Sequence, residues 1–294
     1  MKKLLTIFTP TYNRAYCLPA LYDSLCRQTS RNFVWLVVDD GSMDNTSDLI
    51  KQWIDESKIS IEYYYQRNQG KSMAHNEGVR KCSTELFTCL DSDDTLTANA
   101  VELITREWKK MFFNNTGLLL LRKFNNINNL PVTQIPEGLK ESTLYDAYNR
   151  HGLKGDTMLV FRTSVINQFE FPQFDGEKFV PESYLYDLID TKGTLRMVNE
   201  AVYRCEYLAD GYTSNMARLL KNNPNGYIAY INQRLRLLDK SPKWKFLNSA
   251  RYVSMMLTFD RKHVFSKAVY PFYTLLAYPL GYLVYCRKFR HINR

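Results

Sequence analysis

The sequence predicts a doubly wound α/β sheet, mostly parallel, with a helical C-terminal region. Three observations predict it. Apolar runs of strand length alternate with helical patterns in strict turn over about the first 90 residues. Each run is followed by a polar cluster, which is where open α/β sheets bind ligands. The last 55 residues then change character, carrying 11 of the 39 Lys/Arg and only one of the 30 acids, Asp260.

The elements follow in order. Residues 4–9 (LLTIFT) read as the first strand, and Pro19 opens a helix with Leu18, Leu21 and Leu25 at helical spacing. Residues 33–38 (FVWLVV) form a continuous apolar run, the mark of a parallel strand covered on both faces, and they end in DDGS. A helix over 46–55 (Leu49, Ile50, Trp53, Ile54), a strand over 61–65, a helix over 71–81 and a strand over 86–90 continue the alternation. A helix follows over about 97–110 and an apolar run over 117–121. The Asn-rich stretch 125–129 reads as a loop, and strands return near 157–162 and 194–206.

At 294 residues, 45% hydrophobic and 14% aromatic, the chain can bury a sizeable core, which excludes a disordered protein. The net charge of +9 belongs to the tail, since residues 1–239 hold 28 basic and 29 acidic residues. Six cysteines (17, 26, 82, 89, 205, 286) show no C-x-x-C pairing and mostly sit in apolar contexts, so reduced thiols and a cytosolic body are expected. The start, MKKLLTIFTPTYNR, has too few apolar residues before Pro10 for a signal peptide.

The chemistry concentrates at the strand ends. LFTCLDSDDTLTANA places Asp91, Asp93 and Asp94 directly after a buried strand. Like charges so close repel unless a cation sits among them, and hard oxygen donors suit Mg²⁺ or Mn²⁺ bridging carboxylates to phosphate. Capping of the next helix needs one acid, not three. DDGS is an ordinary turn in isolation, with Gly41 at positive φ; after a buried strand, its carboxylate can also accept a hydrogen bond from a base or ribose. Tyr12 offers an aromatic surface for a base, or packs at the rim. In NQGKSMAHNEG (68–78), Gly70 and Lys71 before a helix suit a diphosphate, although no Walker P-loop is present. His75 there reads more simply as a packed residue than as a ligand.

TPTYNR, VVDDGSMDNT, NQGKSMAHNEG and LDSDD, in that order and spacing, resemble the nucleotide-sugar-binding half of family 2 glycosyltransferases, which have the GT-A fold. The motifs cover residues 1–110. The expected organisation is a GT-A domain over 1–215, with a donor half (1–110) and an acceptor half (111–215), and the composition of the tail adds a basic, aromatic helical region over 216–294. The resemblance implies inverting transfer from a nucleoside diphosphate sugar, a UDP-sugar, to a saccharide or lipid-linked saccharide in polysaccharide assembly. DSDD then acts as a D-x-D metal motif for Mn²⁺ or Mg²⁺, with Asp93 as ligand and Asp91 and Asp94 in support. Pro10, Tyr12 and Asp40 would meet the base and Asp91 the ribose region, with Arg14, Gly70, Lys71, Asn76 and Ser92 completing the donor set.

An inverting transfer also needs a general base. Within FDGEKFVPESYLYDLID (174–190), Glu182 is the candidate, although Ser183 departs from the family's Glu-Asp form, and Asp187 is the runner-up. Two other readings remain open here. D-x-D-x-T at Asp91, Asp93 and Thr95 also fits a haloacid-dehalogenase-type phosphatase, in which Asp91 is the nucleophile. An inert sugar-binding protein on the same fold is the other. The sugar, the acceptor and the linkage would be set by loops such as 122–156 and 205–216.

Residues 268–286 (AVYPFYTLLAYPLGYLVYC) are 19 uncharged residues between basic flanks at Arg261, Lys262 and Lys267 and at Arg287, Lys288 and Arg290. Five tyrosines with Pro271, Pro279 and Gly281 argue against a spanning helix and for a segment on an anionic membrane surface, at the cytoplasmic face, peripheral or monotopic. Core packing is the plainer alternative. The aromatics interleave with aliphatics more than with Lys/Arg, so no nucleic acid partner is expected.

Overall fold

A computed structural model describes residues 2–122, 135–204, 216–238 and 241–290. The Asn-rich stretch 125–129, and much of the two loops expected to set specificity, lie outside the described residues. The chain divides into two units, Met1–Glu170 with Leu188–Glu206, and Phe171–Asp187 with Tyr207–Arg294. The segment 171–187, read from sequence as part of the acceptor half, thus groups with the C-terminal helices.

The first unit is built on one sheet. Strands β1 (Leu5–Thr11), β2 (Phe33–Asp39), β3 (Ile61–Tyr65) and β4 (Leu86–Cys89) are parallel, in the order β3-β2-β1-β4. Helices α1 (Leu18–Cys26), α2 (Thr46–Glu56) and α3 (Lys71–Lys81) connect them. Alternation along the strands explains why both sheet faces are covered. Leu5, Ile7, Phe33, Trp35 and Val37 share one core with Leu18 and Leu21 of α1 and Trp53 of α2. Phe8 points the other way and meets His75 of α3 edge-on, with ring centroids 5.6 Å apart. Burying each such Leu, Ile or Phe contributes about 1.5–3 kcal/mol.

Beyond β4 the sheet becomes mixed. After β5 (Thr95–Leu96) and α4 (Ala100–Trp108) come β6 (Asn115–Arg122), β7 (Glu141–Ser142), α5 (Leu144–Asn149), β8 (Thr157–Arg162), α6 (Thr163–Ile166) and, later in the chain, β9 (Thr194–Arg204). Strand β8 runs antiparallel to β4 and β6, β6 is parallel to β9, and β5 and β7 are antiparallel to β9. The helix expected from 97 begins at Ala100, because Thr95 and Leu96 are first drawn into pairing with Arg204 and Tyr203.

Helix α7 (Ser183–Ile189) is followed in sequence by β9 and then by α8 (Met216–Asn222), α9 (Pro224–Leu237), α10 (Pro242–Phe259) and α11 (Pro271–Lys288). In the second unit, Ile231 and Leu235 of α9 share a core with Tyr252, Val253, Met256 and Leu257 of α10. Helix α11 sets Thr274, Ala277 and Gly281 on its buried side, with Gly281 lying against Val253. Among the described residues, no helix is long and apolar enough to cross a membrane.

Candidate active site

Strand order reverses between β1 and β4, and in open α/β sheets that switch point opens a crevice at the carboxyl edge. The loops after β1 and β2 are stitched together beside it. The Asn13 N–H donates to Ser42 Oγ (2.9 Å), the Met43 N–H to Asn13 Oδ1 (2.8 Å) and the Ala15 N–H to Asp44 Oδ2 (3.1 Å). Asn13 adopts φ 52°, a left-handed conformation that asparagine tolerates better than most residues. This holds TPTYNR in place, with Pro10 half-buried and Tyr12 44% exposed at the rim.

The two acids of DDGS are both buried and both occupied. Asp39 accepts the Ser42 N–H (2.7 Å) and the Tyr63 hydroxyl (2.8 Å). Asp40 accepts the side-chain amide of Gln66 (2.7 Å) and the backbone N–H groups of Gln69 (2.8 Å) and Gly70 (2.7 Å). Asp40, expected at the base, therefore also organises the loop 66–70. It delivers Gly70, at φ 93°, to the head of α3, a conformation that an L side chain would strain.

That geometry places Lys71. Its ammonium grips both oxygens of Asp91, at 2.7 and 2.8 Å. The Asp94 N–H donates to the Asp91 carbonyl (3.1 Å), closing the DSDD turn between β4 and β5. Burial and the charge of Asp91 push the Asp93 carboxyl above its ordinary range, while Arg14 and Lys71 pull it back. Ser92 is buried, and the Cys17 thiol, whose pKa burial raises, donates to the Arg14 carbonyl (3.4 Å). Residues from after β1, from the head of α3 and from after β4 thus act on one another at the switch point.

The concentration of charge that called for a cation is met in part by the chain itself, through Lys71. Among the described residues, no group of three or more His, Cys, Asp or Glu side chains forms a metal cage. Asp91 and Asp93 remain a hard-oxygen pair whose mutual repulsion is only partly relieved. That donor set fits a Mg²⁺ or Mn²⁺ ion taking its remaining ligands from phosphate.

Asn76 and His75 are both buried on α3. His75 packs against Phe8 and Phe87, and burial drives its pKa down to about 3, so it is a neutral core residue, as the simpler reading of its context had it. Glu182 and Asp187 belong to the second unit. Glu182 directly precedes α7, its carbonyl accepting the N–H groups of Leu185 (3.0 Å) and Tyr186 (3.3 Å). Asp187 is 3% exposed and held by Arg234 at 2.7 and 3.2 Å. Sequence reasoning missed Asp39, Gln66 and Cys17; the Asp-Asp pair was the available signal, since neighbours on a strand point to opposite faces.

Comparison with known proteins decides the family. Residues 6–170, more than half of the chain, match the family described as glycosyl transferase family 2. The chain belongs to that family. WfgD of Escherichia coli, a UDP-Glc:alpha-D-GlcNAc-diphosphoundecaprenol beta-1,3-glucosyltransferase, is 25% identical over 74% of this chain and 80% of its own length. An uncharacterized glycosyltransferase of Rickettsia bellii is 34% identical over 38% of this chain, but the match spans only 16% of that protein. Among solved structures, Staphylococcus aureus TarS 1-349 in complex with UDP-GlcNAc aligns at TM-score 0.63 and 18% identity, over 93% of this chain and 79% of that one. The mannosyltransferase PcManGT of Pyrobaculum calidifontis, in complex with GDP-Man and Mn²⁺, aligns at TM-score 0.57 and 16% identity, over 97% and 81%. These likenesses fit the family 2 chain to the GT-A fold, and membership of the family displaces the phosphatase reading of Asp91, Asp93 and Thr95.

Proposed function

We propose that this family 2 protein is a metal-dependent inverting glycosyltransferase, moving a sugar from a UDP-sugar to a lipid-linked saccharide in polysaccharide assembly. The observation that carries the reading is the Lys71–Asp91 pair, with Asp93 and Arg14 acting beside it at the switch point. The UDP donor and lipid-linked acceptor are drawn from WfgD, and the ion from PcManGT.

In this reading Tyr12 and Pro10 border the base, with Asp40 beneath. Gly70, Lys71 and Arg14 face the diphosphate, Asn76 and Ser92 complete the donor pocket, and Asp91 serves the ribose. Asp93, with Asp91 and Asp94 in support, would hold Mn²⁺ or Mg²⁺, which when bound supplies positive charge to the diphosphate leaving group. Glu182 takes the proton from the acceptor hydroxyl as that oxygen attacks the anomeric carbon. Asp187, tied to Arg234, is poorly suited to that role.

The C-terminal region is read as a contact with an anionic membrane surface at the cytoplasmic face, peripheral or monotopic. Opposite its buried side, α11 exposes Phe272 (67%), Leu275 (60%), Leu276 (50%) and Leu283 (59%), and Arg287 continues the stripe one turn beyond Leu283. An apolar stripe with basic ends suits a helix lying in the headgroup plane.

The experiment is to incubate the full chain with UDP-Glc, UDP-GlcNAc and GDP-Man, with Mn²⁺, Mg²⁺ or chelator, and to measure release of nucleoside diphosphate. Metal-dependent release of UDP supports the reading. Tight binding of nucleotide sugar without turnover, even with undecaprenol-linked saccharides, would make the protein an inert binder.

A further inference from the structure

Residues 177–187, which carry Glu182, run alongside one face of α9. Glu177 accepts the backbone N–H groups of Asn225 (2.9 Å) and Gly226 (2.8 Å) at the head of α9. The Lys178 N–H donates to Asn223 Oδ1 (2.7 Å). Gln233 donates its side-chain amide to the Tyr184 carbonyl (2.6 Å), and Arg234 forks onto Asp187 (2.7 and 3.2 Å). Asn223, Asn225 and Gly226 make their contacts at the head of α9, and Gly226, Gln233 and Arg234 follow helical spacing along one face of it.

The approach is close enough to constrain sequence. A Cβ on Gly226 would lie 2.4 Å from the Phe179 carbonyl oxygen. Arg234 is also stacked over the Tyr230 ring at 5.0 Å, which fixes the guanidinium between the two elements. Residues 171–182 have no regular secondary structure, and α7, at seven residues, is too short to hold its own direction. Glu182 is bracketed by ties to α9 on both sides, five residues back at Glu177 and five ahead at Asp187.

We propose that α9 is a positioning element for the Glu182 segment, with the Arg234–Asp187 pair as its lock. The inference rests on the reading of Glu182 as the base. A base displaced by about 1 Å loses on the order of 10²-fold in rate, although donor binding is untouched.

The test is a double-mutant cycle in the full-length chain, with metal, reading UDP release from UDP-Glc or UDP-GlcNAc with water as acceptor, UDP affinity and thermal melting. Arg234→Gln should lower kcat about 10–100-fold with KM and UDP affinity within about twofold, and should add nothing to the loss caused by Glu182→Gln. Arg234→Lys should restore part of kcat. Unchanged kcat in Arg234→Gln, or losses that multiply in the double variant, would overturn the inference while leaving Glu182 as the base. A near-normal Glu182→Gln would remove the base reading and the inference with it. If Arg234→Gln does not fold, Gln233→Leu, which removes the tie to the Tyr184 carbonyl and leaves no buried charge, enters the same cycle, with the same two outcomes.

Discussion

The Lys71 ammonium lies 2.7 and 2.8 Å from the two carboxylate oxygens of Asp91, joining the head of α3 to the turn that ends β4. One cation therefore serves two anions, Asp91 and, in the proposed complex, the donor diphosphate. Removing it leaves Asp91 facing the diphosphate without relief. Lys71→Ala should weaken UDP binding by about tenfold or more, the loss typical of one charge-assisted hydrogen bond. Titration calorimetry at fixed Mn²⁺ measures it. The pair is partly exposed, so the melting temperature should barely move.

The two carboxylates at the turn make a second expectation. Asp93 is held near Asp91 with its pKa raised, and a divalent ion is what would let both ionise beside a diphosphate. UDP binding should need Mn²⁺ or Mg²⁺ and vanish with chelator, and Asp93→Asn should weaken it far more than Thr95→Ala. Thr95 pairs with Arg204 as part of β5, which is why its side chain is the control. Equal UDP affinity with and without metal would remove the D-x-D reading.

His75 gives stability a pH dependence. Its folded-state pKa is depressed to about 3, so the folded protein keeps it neutral while the unfolded chain protonates it near 6.5. Its contribution to stability is therefore complete above pH 6.5 and lost as pH falls below that, at up to about 1.4 kcal/mol per pH unit until the folded pKa is reached. Between pH 7 and pH 5 this amounts to about 2 kcal/mol. Urea melts should show that slope, and His75→Leu, which keeps an apolar side chain between Phe8 and Phe87, should flatten it. An unchanged slope in the variant would place the acid sensitivity elsewhere.

Glu182 and Asp187 should part company when each is neutralised. Glu182→Gln is expected to lose about 10²–10⁴ in rate with donor affinity intact. Asp187→Ala strips a buried charge pair and is expected to cost about 3–5 kcal/mol of stability, seen as a large drop in melting temperature. If Asp187→Asn is folded but inactive and Glu182→Gln is active, the base lies at Asp187.

The parts of this molecule legible in sequence are those written in local pattern. Strands β1 to β4 and helices α1 to α3 follow from apolar runs and helical spacing, and the strand-end clusters meet because parallel strands put their carboxyl ends on one edge. What was not legible depended on partners far along the chain. Thr95 and Leu96 become a strand only because β9 returns beside them, and the antiparallel half of the sheet follows from that same non-local pairing. Asp40 carries no sign in its own motif that Gln66, Gln69 and Gly70 will occupy it. Asp187 looks like a second candidate base until Arg234, 47 residues away, is found upon it.

The sequence of the tail allows either core packing or membrane contact, and α11 carries a buried side and an exposed apolar one. Thr274, Ala277 and Gly281 lie toward the core, while Phe272, Leu275, Leu276, Tyr282 and Leu283 are exposed. Deleting residues 261–294 would uncover Val253 and its neighbours, so truncation tests folding as much as attachment. Leu275→Glu, Leu276→Glu and Leu283→Glu together alter only the exposed face. They should release the protein from vesicles containing anionic lipid while the melting temperature stays within a few degrees and UDP affinity is unchanged. Basic residues near such a surface add about 1 kcal/mol each before screening, so attachment of the unaltered chain should also weaken in high salt. Retention of the triple variant on vesicles would move the contact to another surface. Resistance of the unaltered chain to both salt and alkaline carbonate, with its C-terminus open to protease only from the far side, would replace the in-plane helix with a spanning one.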